Sequence, residues 1–337
     1  MIIYPTLNTK AIIGVTAPSS GVPSELHQMF NQAVARMEER NYSVVCKNTV
    51  WAQYKAKSAP AQVRADELND LLQDEKISII FPPWGGELLI EILEYIEFEK
   101  MKPKWILGYS DTSALLLAIT LKTGIATAHG TNLVDIRGVT SDSTTAMWES
   151  VLKTNAGESV IQSSSMHYQK HWQHDNPTSH VFHLTEPTKW KTIDNQNTII
   201  NGRLLGGCID IIRHLVGTPY GEVDRFYEYM KPNETIIWYF ENCDLSSTDL
   251  RRSLVQLRLA GWFERCSGIM FGRSAANQPV NFYEEQDVYI DLASELNVPI
   301  IYDIDCGHVP PQMTLINGCF AKVEVENGKG TITQYFI

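Results

Sequence analysis

Residues 104–116 read Lys-Trp-Ile-Leu-Gly-Tyr-Ser-Asp-Thr-Ser-Ala-Leu-Leu. An apolar run stops at Gly108 and a helical pattern resumes at Ala114, so the stretch predicts a strand and a helix joined by a tight turn that carries Ser110. In such a turn the hydroxyl projects from the bend, and the first free N–H groups of the helix can stabilise an oxyanion beside it. Ser110 and Asp111 are also good helix-capping residues, so the turn alone leaves catalysis and capping both open.

The segments around this turn alternate between strand and helix patterns. Strand patterns lie at residues 11–17, 42–46, 77–82 and 105–109, and helix patterns at 24–40, 61–74, 87–95 and 114–120. Short apolar strands separated by helices indicate a Rossmann-like α/β fold, in which helices flank a parallel sheet. The ligand crevice of such a sheet lies beyond the carboxyl ends of its strands. Three conspicuous loops are predicted there: Pro18-Ser19-Ser20-Gly21, Pro82-Pro83-Trp84-Gly85-Gly86-Glu87 and Gly108-Tyr109-Ser110-Asp111.

The composition is that of an acidic globular protein. The chain has 337 residues, of which 44% are hydrophobic and 20% charged, and its formal net charge is −11. The length favours two domains over one, and the negative charge argues against a nucleic-acid partner, because phosphate backbones are bound by Lys and Arg. Without a secretory signal or an apolar stretch of about 20 residues, we expect a cytoplasmic protein that does not cross a membrane. The 6 cysteines show no pairing pattern and are expected to be reduced thiols.

The rest of the chain divides into a polar segment and a second, smaller α/β unit. Residues 162–200 show little periodicity and are interpreted as a linker and substrate loop between an amino-terminal domain, 1–161, and a carboxyl-terminal domain, 201–337. In the second domain, helix patterns lie at 208–216, 247–260 and 287–296, strand patterns at 235–240, 268–271 and 299–302, and a terminal hairpin at 320–336. The polar segment is rich in histidine, but the spacing puts no consistent ligand set on one element, so a loop is favoured over a metal site. These histidines are His167, His171, His174, His180 and His183.

A serine nucleophile needs a base that accepts its proton and a third group that orients the base. Glu241 directly follows the apolar strand pattern at 236–240, and His308 lies in a loop flanked by Gly and Pro, 303–312, after another strand pattern. Both residues therefore lie where this architecture gathers functional groups. A Glu at a strand end also often pairs with an Arg, and a loop His is often only a surface group, so these alternatives stay open.

Two other classes of function stay open at this point. Carboxylate, thiol and imidazole groups are metal-ligand types, so Asp303, Asp305, Cys306 and His308 form a candidate site for a metal-dependent hydrolase, although no second ligand cluster accompanies it. A two-domain α/β protein with a cleft could also bind a peptide or a nucleotide without reacting with it.

Taken together, the motifs resemble those of the LD-carboxypeptidase family of serine peptidases and, within it, the microcin C immunity branch. The resemblance runs nearly end to end. The segments that carry it are Ala17-Pro18-Ser19-Ser20, Pro83-Trp84-Gly85-Gly86, Gly108-Tyr109-Ser110-Asp111, His129-Gly130, Gly206-Gly207, Phe240-Glu241, Phe271-Gly272-Arg273 and Gly307-His308.

This resemblance implies a catalytic triad in which Ser110 is the nucleophile, His308 the general base and acid, and Glu241 the residue that orients the imidazole. It implies that the backbone N–H groups of Gly86 and Asp111 form the oxyanion hole. It also implies a parallel amino-terminal domain, a carboxyl-terminal domain with a barrel-like sheet, a cleft between them and a homodimer, and it requires no metal or cofactor.

The expected substrate follows from the same resemblance. The turn at residues 82–87 differs from the Arg-Gly-Gly-Tyr-Gly run of the murein-recycling carboxypeptidases, so an L,D-peptide bond in murein tetrapeptides is the alternative substrate. The immunity branch implies the amide bond of a peptidyl or aminoacyl nucleotide. In that branch an aromatic residue of the central loop stacks on the nucleobase, and Trp190 is the expected equivalent. Trp84 and Gly85 are also expected to contact the substrate.

Overall fold

The computed structural model describes residues 1–173 and 176–337, so His174 lies outside the described residues. The strands are β1 (Ile12–Val15), β2 (Ser43–Cys46), β3 (Ile77–Ile80), β4 (Trp105–Gly108), β5 (Thr127–His129), β6 (Ser159–Ser163), β7 (His167–Tyr168), β8 (Glu186–Pro187), β9 (Lys191–Thr192), β10 (Thr198–Cys208), β11 (Ile236–Glu241), β12 (Cys266–Gly272), β13 (Ile300–Ile304), β14 (Leu315–Asn317), β15 (Phe320–Glu326) and β16 (Lys329–Tyr335). The α-helices are α1 (His27–Glu39), α2 (Ala61–Gln73), α3 (Thr112–Thr123), α4 (Met147–Leu152), α5 (Ile209–Ile212), α6 (Val223–Phe226), α7 (Ser247–Leu259) and α8 (Glu285–Leu296). Short 3-10 helices lie at Ser24–Leu26, Asn48–Trp51, Leu89–Tyr95, Phe98–Lys100, Leu133–Ile136, Arg213–Leu215 and Tyr227–Tyr229.

The first sheet confirms the predicted parallel half of the fold. Its 6 strands follow the order β2-β1-β3-β4-β5-β14, and only β14 pairs antiparallel with its neighbour. Helix α3 is apolar around its whole circumference and is buried from Thr112 to Leu121, because it packs against β5 on one side and β10 on the other. The helix that follows Ser110 therefore lies between the first sheet and the second.

The second sheet has 8 strands in the order β6-β16-β15-β10-β11-β12-β13-β9. Strands β10 to β13 pair in parallel, whereas β15, β16 and β6 on one side and β9 on the other pair antiparallel. Among the described strands, β6 and β9 form the two edges and do not pair with each other, so the sheet is open. The carboxyl ends of β10, β11 and β13 lie on the side where α3 begins, and this arrangement positions the site.

The two halves of the chain exchange strands. Strand β6 begins before residue 161 and joins the second sheet, while β14, from the far end of the chain, joins the first. One hydrophobic cluster runs continuously from β1 and β3 through α3 to β11 and α7. The division at residues 161 and 200 stays a prediction.

Several local expectations are corrected by the structure. Residues 87–95 form the 3-10 helix Leu89–Tyr95 rather than an α-helix, and the pattern at 208–216 becomes α5 followed by a further 3-10 turn. The segment 162–200 is not a plain linker, because β7 pairs with β8 and β9 joins the edge of the second sheet.

None of the helices in residues 1–173 and 176–337 is both long and apolar enough to span a bilayer. All the cysteines lie in this described part of the chain, and each has a free thiol there.

Candidate active site

The turn between β4 and α3 holds Ser110 in a strained backbone conformation. The φ angle of Ser110 is +61°, in the left-handed region that residues with a side chain seldom adopt. Strained backbone conformations are common at functional sites. In many hydrolases the nucleophilic serine lies on a sharp, strained turn between a strand and a helix. The backbone at Ser110 thus has the geometry of a nucleophile turn.

The side chain of Asp111 does not cap α3 but joins the neighbouring loops. Its Oδ2 atom accepts hydrogen bonds from the Ser19 hydroxyl and, over 2.7 Å, from the backbone N–H of Leu89. Burial raises the pKa of this carboxyl. The backbone N–H of Ser20 donates to the carbonyl of Gly85 over 3.2 Å. The three loops predicted to lie beyond the strand ends therefore meet at one place.

The glycine turn at residues 85–86 lies directly against the candidate nucleophile. A Cβ atom at position 85 would lie 2.7 Å from the Ser110 Cβ and 3.0 Å from the backbone nitrogen of Asp111, so no side chain fits there without displacing the turn. Gly86 follows immediately in the chain. The backbone of this turn and the start of α3 thus border the Ser110 side chain together.

Glu241 and His308 form a hydrogen-bonded pair. Glu241 is the last residue of β11, and His308 lies in the loop that follows β13. The distance between His308 Nδ1 and Glu241 Oε2 is 2.7 Å, and the side chain of Glu241 is 0% exposed whereas that of His308 is 29% exposed. The backbone between them is tight, because Gly307 has a φ of +95° and a Cβ there would collide with Glu241. The carboxylate therefore fixes the orientation of the imidazole.

The pair has the electrostatics of an ion pair. Burial alone would lower the pKa of His308, but the charge of Glu241 and the hydrogen bond between them raise this pKa to about 9. Burial alone would raise the pKa of Glu241, but the charge and hydrogen bond of His308 hold it below its usual value. Because Nδ1 is occupied by Glu241, Nε2 is the nitrogen of His308 that remains for proton transfer.

The nucleophile turn and this pair lie at one junction between the two sheets. The rings of His308 and Tyr109 contact edge to face, with centroids 4.9 Å apart, and Tyr109 directly precedes Ser110. At the same junction the Ser113 hydroxyl, in the first turn of α3, accepts a hydrogen bond from the backbone N–H of Cys208 over 3.0 Å. The structure therefore pairs His308 with Glu241 and places the residue before Ser110 against the His308 ring, and the triad itself stays a prediction.

A second histidine, whose role was not assigned from the sequence, lies behind this junction. His129 is fully buried at the end of β5, and its ring contacts Tyr109 and Tyr239 edge to face, with centroids 6.4 and 5.4 Å away. Its Nδ1 lies 3.7 Å from the Cys306 sulfur. Burial lowers the pKa of His129 to about 4, so its imidazole is neutral at neutral pH. The sequence signal for it was the His129-Gly130 motif, one of the segments that carry the family resemblance.

The carboxylates of the candidate metal-dependent site are engaged elsewhere. Asp305 is 0% exposed and accepts hydrogen bonds from Arg273 over 2.7 Å and from the Ser165 hydroxyl over 2.5 Å. Asp303 pairs with Lys191 over 2.7 Å. Among the described residues, the possible metal-ligand group around the candidate base consists instead of Cys208, Cys243 and His308.

Trp190 does not lie where it could stack on a ligand. It is 1% exposed, its indole N–H donates to Asp305 Oδ2 over 2.9 Å, and its ring packs against the backbone of Gly330. The expectation that Trp190 stacks on a nucleobase is therefore wrong. The physical reason is that β9, the next two residues, joins the edge of the second sheet and draws Trp190 into its core.

Two other tryptophans lie closer to the site surface. Trp84 is half-buried, and its indole N–H donates to the carbonyl of Gly21 over 3.2 Å, which braces the glycine turn. Trp172 is also half-buried, and its indole N–H donates to the carbonyl of His308 over 2.8 Å while its ring contacts Phe182 edge to face. Trp172 was missed in the sequence because its segment shows no periodicity.

A cationic cavity of about 350 Å³ opens beside the loop that carries His308. Val309 lines it, and so do four basic side chains, of which Arg273 is fixed by Asp305 and lies over the Tyr168 ring at 4.8 Å. Among the described residues of the lining, Asp303 is the one acidic side chain. The basic residues are Lys170, Lys189, Lys191 and Arg273. This concentration of positive charge stands out on a chain with a net charge of −11.

Both halves of the chain match family models. Residues 13–130 match the LD-carboxypeptidase N-terminal domain, and residues 201–323 match the LD-carboxypeptidase C-terminal domain. The chain belongs to the LD-carboxypeptidase family. The first match contains Ser110, and the second contains Glu241 and His308.

The similar proteins within the LD-carboxypeptidase family are named either as microcin immunity proteins or as carboxypeptidases. The microcin C7 self-immunity protein MccF of Escherichia coli is 23% identical over 99% of this chain and 97% of its own length. The structure of MccF in complex with glutamyl sulfamoyl guanosine matches with a TM-score of 0.81 at 20% identity, over 100% of both chains. A muramoyltetrapeptide carboxypeptidase from Oxalobacter formigenes matches with a TM-score of 0.74 at 19% identity, over 96% of this chain and 99% of its own. The fold is thus shared by immunity proteins and murein carboxypeptidases.

Proposed function

We propose that this chain is a serine-type amide hydrolase whose catalytic residues are Ser110, His308 and Glu241. The observation that carries the proposal is the left-handed backbone of Ser110 at a strand-to-helix turn whose preceding residue, Tyr109, contacts the ring of the Glu241-bound His308. A serine that only capped the helix would need neither the strained φ angle nor a base beside it. A pair that only stabilised the fold would not leave the imidazole partly exposed at the same junction.

The proposed reaction is acyl transfer to Ser110 followed by hydrolysis. The Ser110 Oγ attacks the amide carbonyl while His308 Nε2 accepts the hydroxyl proton, and the C–N bond breaks as Nε2 returns that proton to the leaving amine. Water then attacks the acyl-enzyme with His308 again acting as base, which releases the carboxylic acid and regenerates the hydroxyl. Glu241 holds the imidazole through Nδ1 and stabilises its positive charge at each step.

The developing oxyanion is assigned to the backbone N–H groups of Gly86 and Asp111. The support is the close approach of the glycine turn to Ser110 and the position of Asp111 at the start of α3, where N–H groups lack intrahelical partners. Each such donor contributes on the order of 3 kcal/mol to transition-state stabilisation in serine hydrolases.

For the substrate, we propose a peptidyl or aminoacyl nucleotide. The cationic cavity beside the His308 loop suits a phosphate or a related anionic group, because Lys170 and Lys189 line it in addition to Lys191 and Arg273, which pair with Asp303 and Asp305. MccF, with which this chain shares its fold, has been solved with glutamyl sulfamoyl guanosine and with aspartyl sulfamoyl adenosine. Trp172 replaces Trp190 as the candidate residue for stacking on the base, since its ring is partly exposed and lies next to the His308 loop.

The alternative substrate is the L,D-peptide bond of a murein tetrapeptide. The same cationic cavity favours it, because a terminal carboxylate is also an oxyanion that lysine and arginine bind. The two substrates share this anionic group and differ in the leaving group.

One experiment separates these substrates and tests the enzyme class. The purified chain is incubated with an aminoacyl sulfamoyl adenosine and, separately, with an L,D-linked tetrapeptide, and the products are followed by mass spectrometry. The proposal expects cleavage of the nucleotide compound, and cleavage of the tetrapeptide alone would favour the alternative. A fluorophosphonate probe should label Ser110, since a plain capping serine is not activated. No labelling and no turnover would favour a binding protein. Homodimerisation and a cytoplasmic location stay predictions.

A further inference from the structure

Two cysteines lie beside the candidate base in an arrangement that the proposed hydrolysis does not use. Cys208 is the last residue of β10, buried and paired in register with Glu241, whereas Cys243 follows β11 by two residues and is half-buried. One ligand atom from each of Cys208, Cys243 and His308 lies within 4.8 Å of the other two. Three side chains with nitrogen and sulfur donors are thus neighbours at the candidate base of the proposed reaction.

We propose that Cys208, Cys243 and His308 form a binding site for Zn²⁺. Thiolate and imidazole are the ligands that this ion prefers, and a set of two Cys and one His leaves the fourth tetrahedral position open for water. Zinc bonds of about 2.3 Å to sulfur and 2.0 Å to nitrogen bring ligand atoms to roughly 3.5–3.8 Å from one another. From separations of at most 4.8 Å, this requires side-chain movement on the order of 1 Å, which the loop position of Cys243 permits.

The surroundings of the cluster supply the outer contacts that such a site needs. Glu241 accepts the hydrogen bond of His308 Nδ1 and leaves Nε2 as the metal ligand, the arrangement in which a carboxylate orients a metal-binding histidine. Asp210 accepts hydrogen bonds from the backbone N–H of Cys243 over 3.1 Å and from the Cys208 thiol over 3.5 Å. Asp210 therefore contacts the Cys208 thiol directly and holds the backbone that carries Cys243. Two thiol protons pass to solvent when the ion binds.

The site has a consequence that rests on the proposed function. An ion on His308 Nε2 occupies the nitrogen that must accept the Ser110 proton, so bound Zn²⁺ inhibits hydrolysis and a chelator restores it. The metal here is an inhibitor and not a cofactor of the reaction. Activity that needed the metal would contradict this assignment.

Metal binding is tested without any substrate, so that it stands apart from the proposed function. The untagged, reduced protein is titrated with Co²⁺, and the thiolate-to-Co²⁺ charge-transfer absorption is recorded; Zn²⁺ affinity is then measured by competition with a chromophoric chelator. We expect one equivalent of Co²⁺ to give the band and Zn²⁺ to abolish it. The band reports cysteine, so binding to histidines of the segment 162–200 does not produce it.

Substitutions locate the ion. Cys243→Ser should weaken Zn²⁺ binding at least about tenfold and remove roughly half of the charge-transfer absorption, because one of two thiolates is lost. Cys46→Ser, which changes a half-buried cysteine of β2, is the matched control and should alter neither. Ser110→Ala should bind the ion like the unmodified chain, and Glu241→Gln should bind it about 10- to 100-fold more weakly. Circular dichroism verifies that each variant is folded.

Three results would overturn the proposal. The first is the absence of a charge-transfer band in the unmodified, reduced protein. The second is equal Zn²⁺ affinity in the unmodified chain and the folded Cys243→Ser variant. The third is a Cys208–Cys243 disulfide that persists in reductant, seen as the loss of two titratable thiols. If the metal binds as expected but no substrate is cleaved, the proposed function fails while the metal site stands.

Discussion

Ser110 is positioned by residues near it in the chain and by two adjoining loops, whereas Glu241 and His308 meet across 67 residues of sequence. At the nucleophile turn, the strained φ angle, the start of α3 and the hydrogen bonds of Asp111 all belong to the first sheet and its loops. The acid–base pair depends on the second sheet, where β12 lies between β11, which ends at Glu241, and β13, which precedes the His308 loop. One half of the site is thus set by local backbone geometry and the other by long-range pairing.

The loop of His308 also receives support from the segment 162–200. Asp305, three residues before His308, is held by Ser165, Trp190 and Arg273, and the carbonyl of His308 itself accepts the indole N–H of Trp172. No comparable contact with this segment is seen at the nucleophile turn within the described residues. Removing the Ser110 hydroxyl while keeping the backbone conformation should therefore alter chemistry alone, whereas changes around His308 should alter chemistry and stability together.

The largest expected effect is that of Ser110→Ala. Removing the nucleophile should lower kcat on the order of 10⁶-fold, because the remaining groups of a triad act only as a unit. The free energy of unfolding should stay unchanged, since alanine keeps the same backbone conformation. Steady-state kinetics and chemical denaturation measure the two quantities. Hydrolysis at the original rate would exclude Ser110 as the nucleophile.

Ser110→Gly is the matched variant for the backbone. Glycine also lacks the hydroxyl, so activity should be lost equally, but it adopts the left-handed region without strain. We expect the glycine variant to be more stable than the alanine variant by about 1 kcal/mol. Equal stability of the two variants would mean that the turn stores no strain. Local backbone geometry would then not explain how Ser110 is positioned.

Glu241→Gln should have the next largest effect. The amide keeps the shape of the side chain but loses the charge that orients and stabilises the imidazolium, and related changes lower kcat on the order of 10⁴-fold. The pKa of His308 should fall in this variant, because burial lowers this pKa and the charge of Glu241 no longer opposes the effect of burial. Titration of the His308 ring signals by NMR measures this change. An unaltered pKa would contradict the assignment of Glu241.

The pH dependence of the unmodified enzyme follows from the same pair. His308 must be neutral to accept a proton, and its pKa in the folded chain is about 9, so kcat/KM should rise with pH and level off above about 9. The contribution of His308 to the free energy of unfolding changes in the opposite direction and decreases as the pH rises. Because folding raises this pKa from 6.5, the stabilisation is complete below pH 6.5 and is lost as the pH rises through about 9. Assays in the presence of a chelator keep His308 free of metal.

The local half of the site was predictable from the sequence and the long-range half only in part. Gly108, Ser110 and the apolar helix after them mark a strand, a turn and a helix, because each signal lies within a few residues of the next. Glu241 and His308 could be placed at strand ends, but their contact required the resemblance to a known family. The burial of Trp190 was not predictable, since β9 is only two residues long and pairs with a strand about 110 residues away.

Trp190→Ala should test whether the segment 162–200 supports the His308 loop. The loss of a fully buried indole should lower the free energy of unfolding by about 3–5 kcal/mol. Trp190→Phe keeps most of the ring but leaves Asp305 without one hydrogen bond, and should cost about 1–3 kcal/mol. Chemical denaturation at fixed pH measures both. A raised KM with an unchanged free energy of unfolding would instead indicate that Trp190 contacts the substrate.

Trp172→Ala should have the smallest effect, and one that separates binding from support. If Trp172 stacks on a nucleobase, its loss should cost about 1–3 kcal/mol of binding, or on the order of 10- to 100-fold in KM for a nucleotide substrate. Trp172→Phe keeps an aromatic face but loses the hydrogen bond to the His308 carbonyl, so a stacking role predicts a near-normal KM and a supporting role predicts a lower kcat in this variant. A lowered kcat with a normal KM in both variants would show that Trp172 supports the His308 loop and does not bind substrate. The nucleobase would then have to bind to another residue.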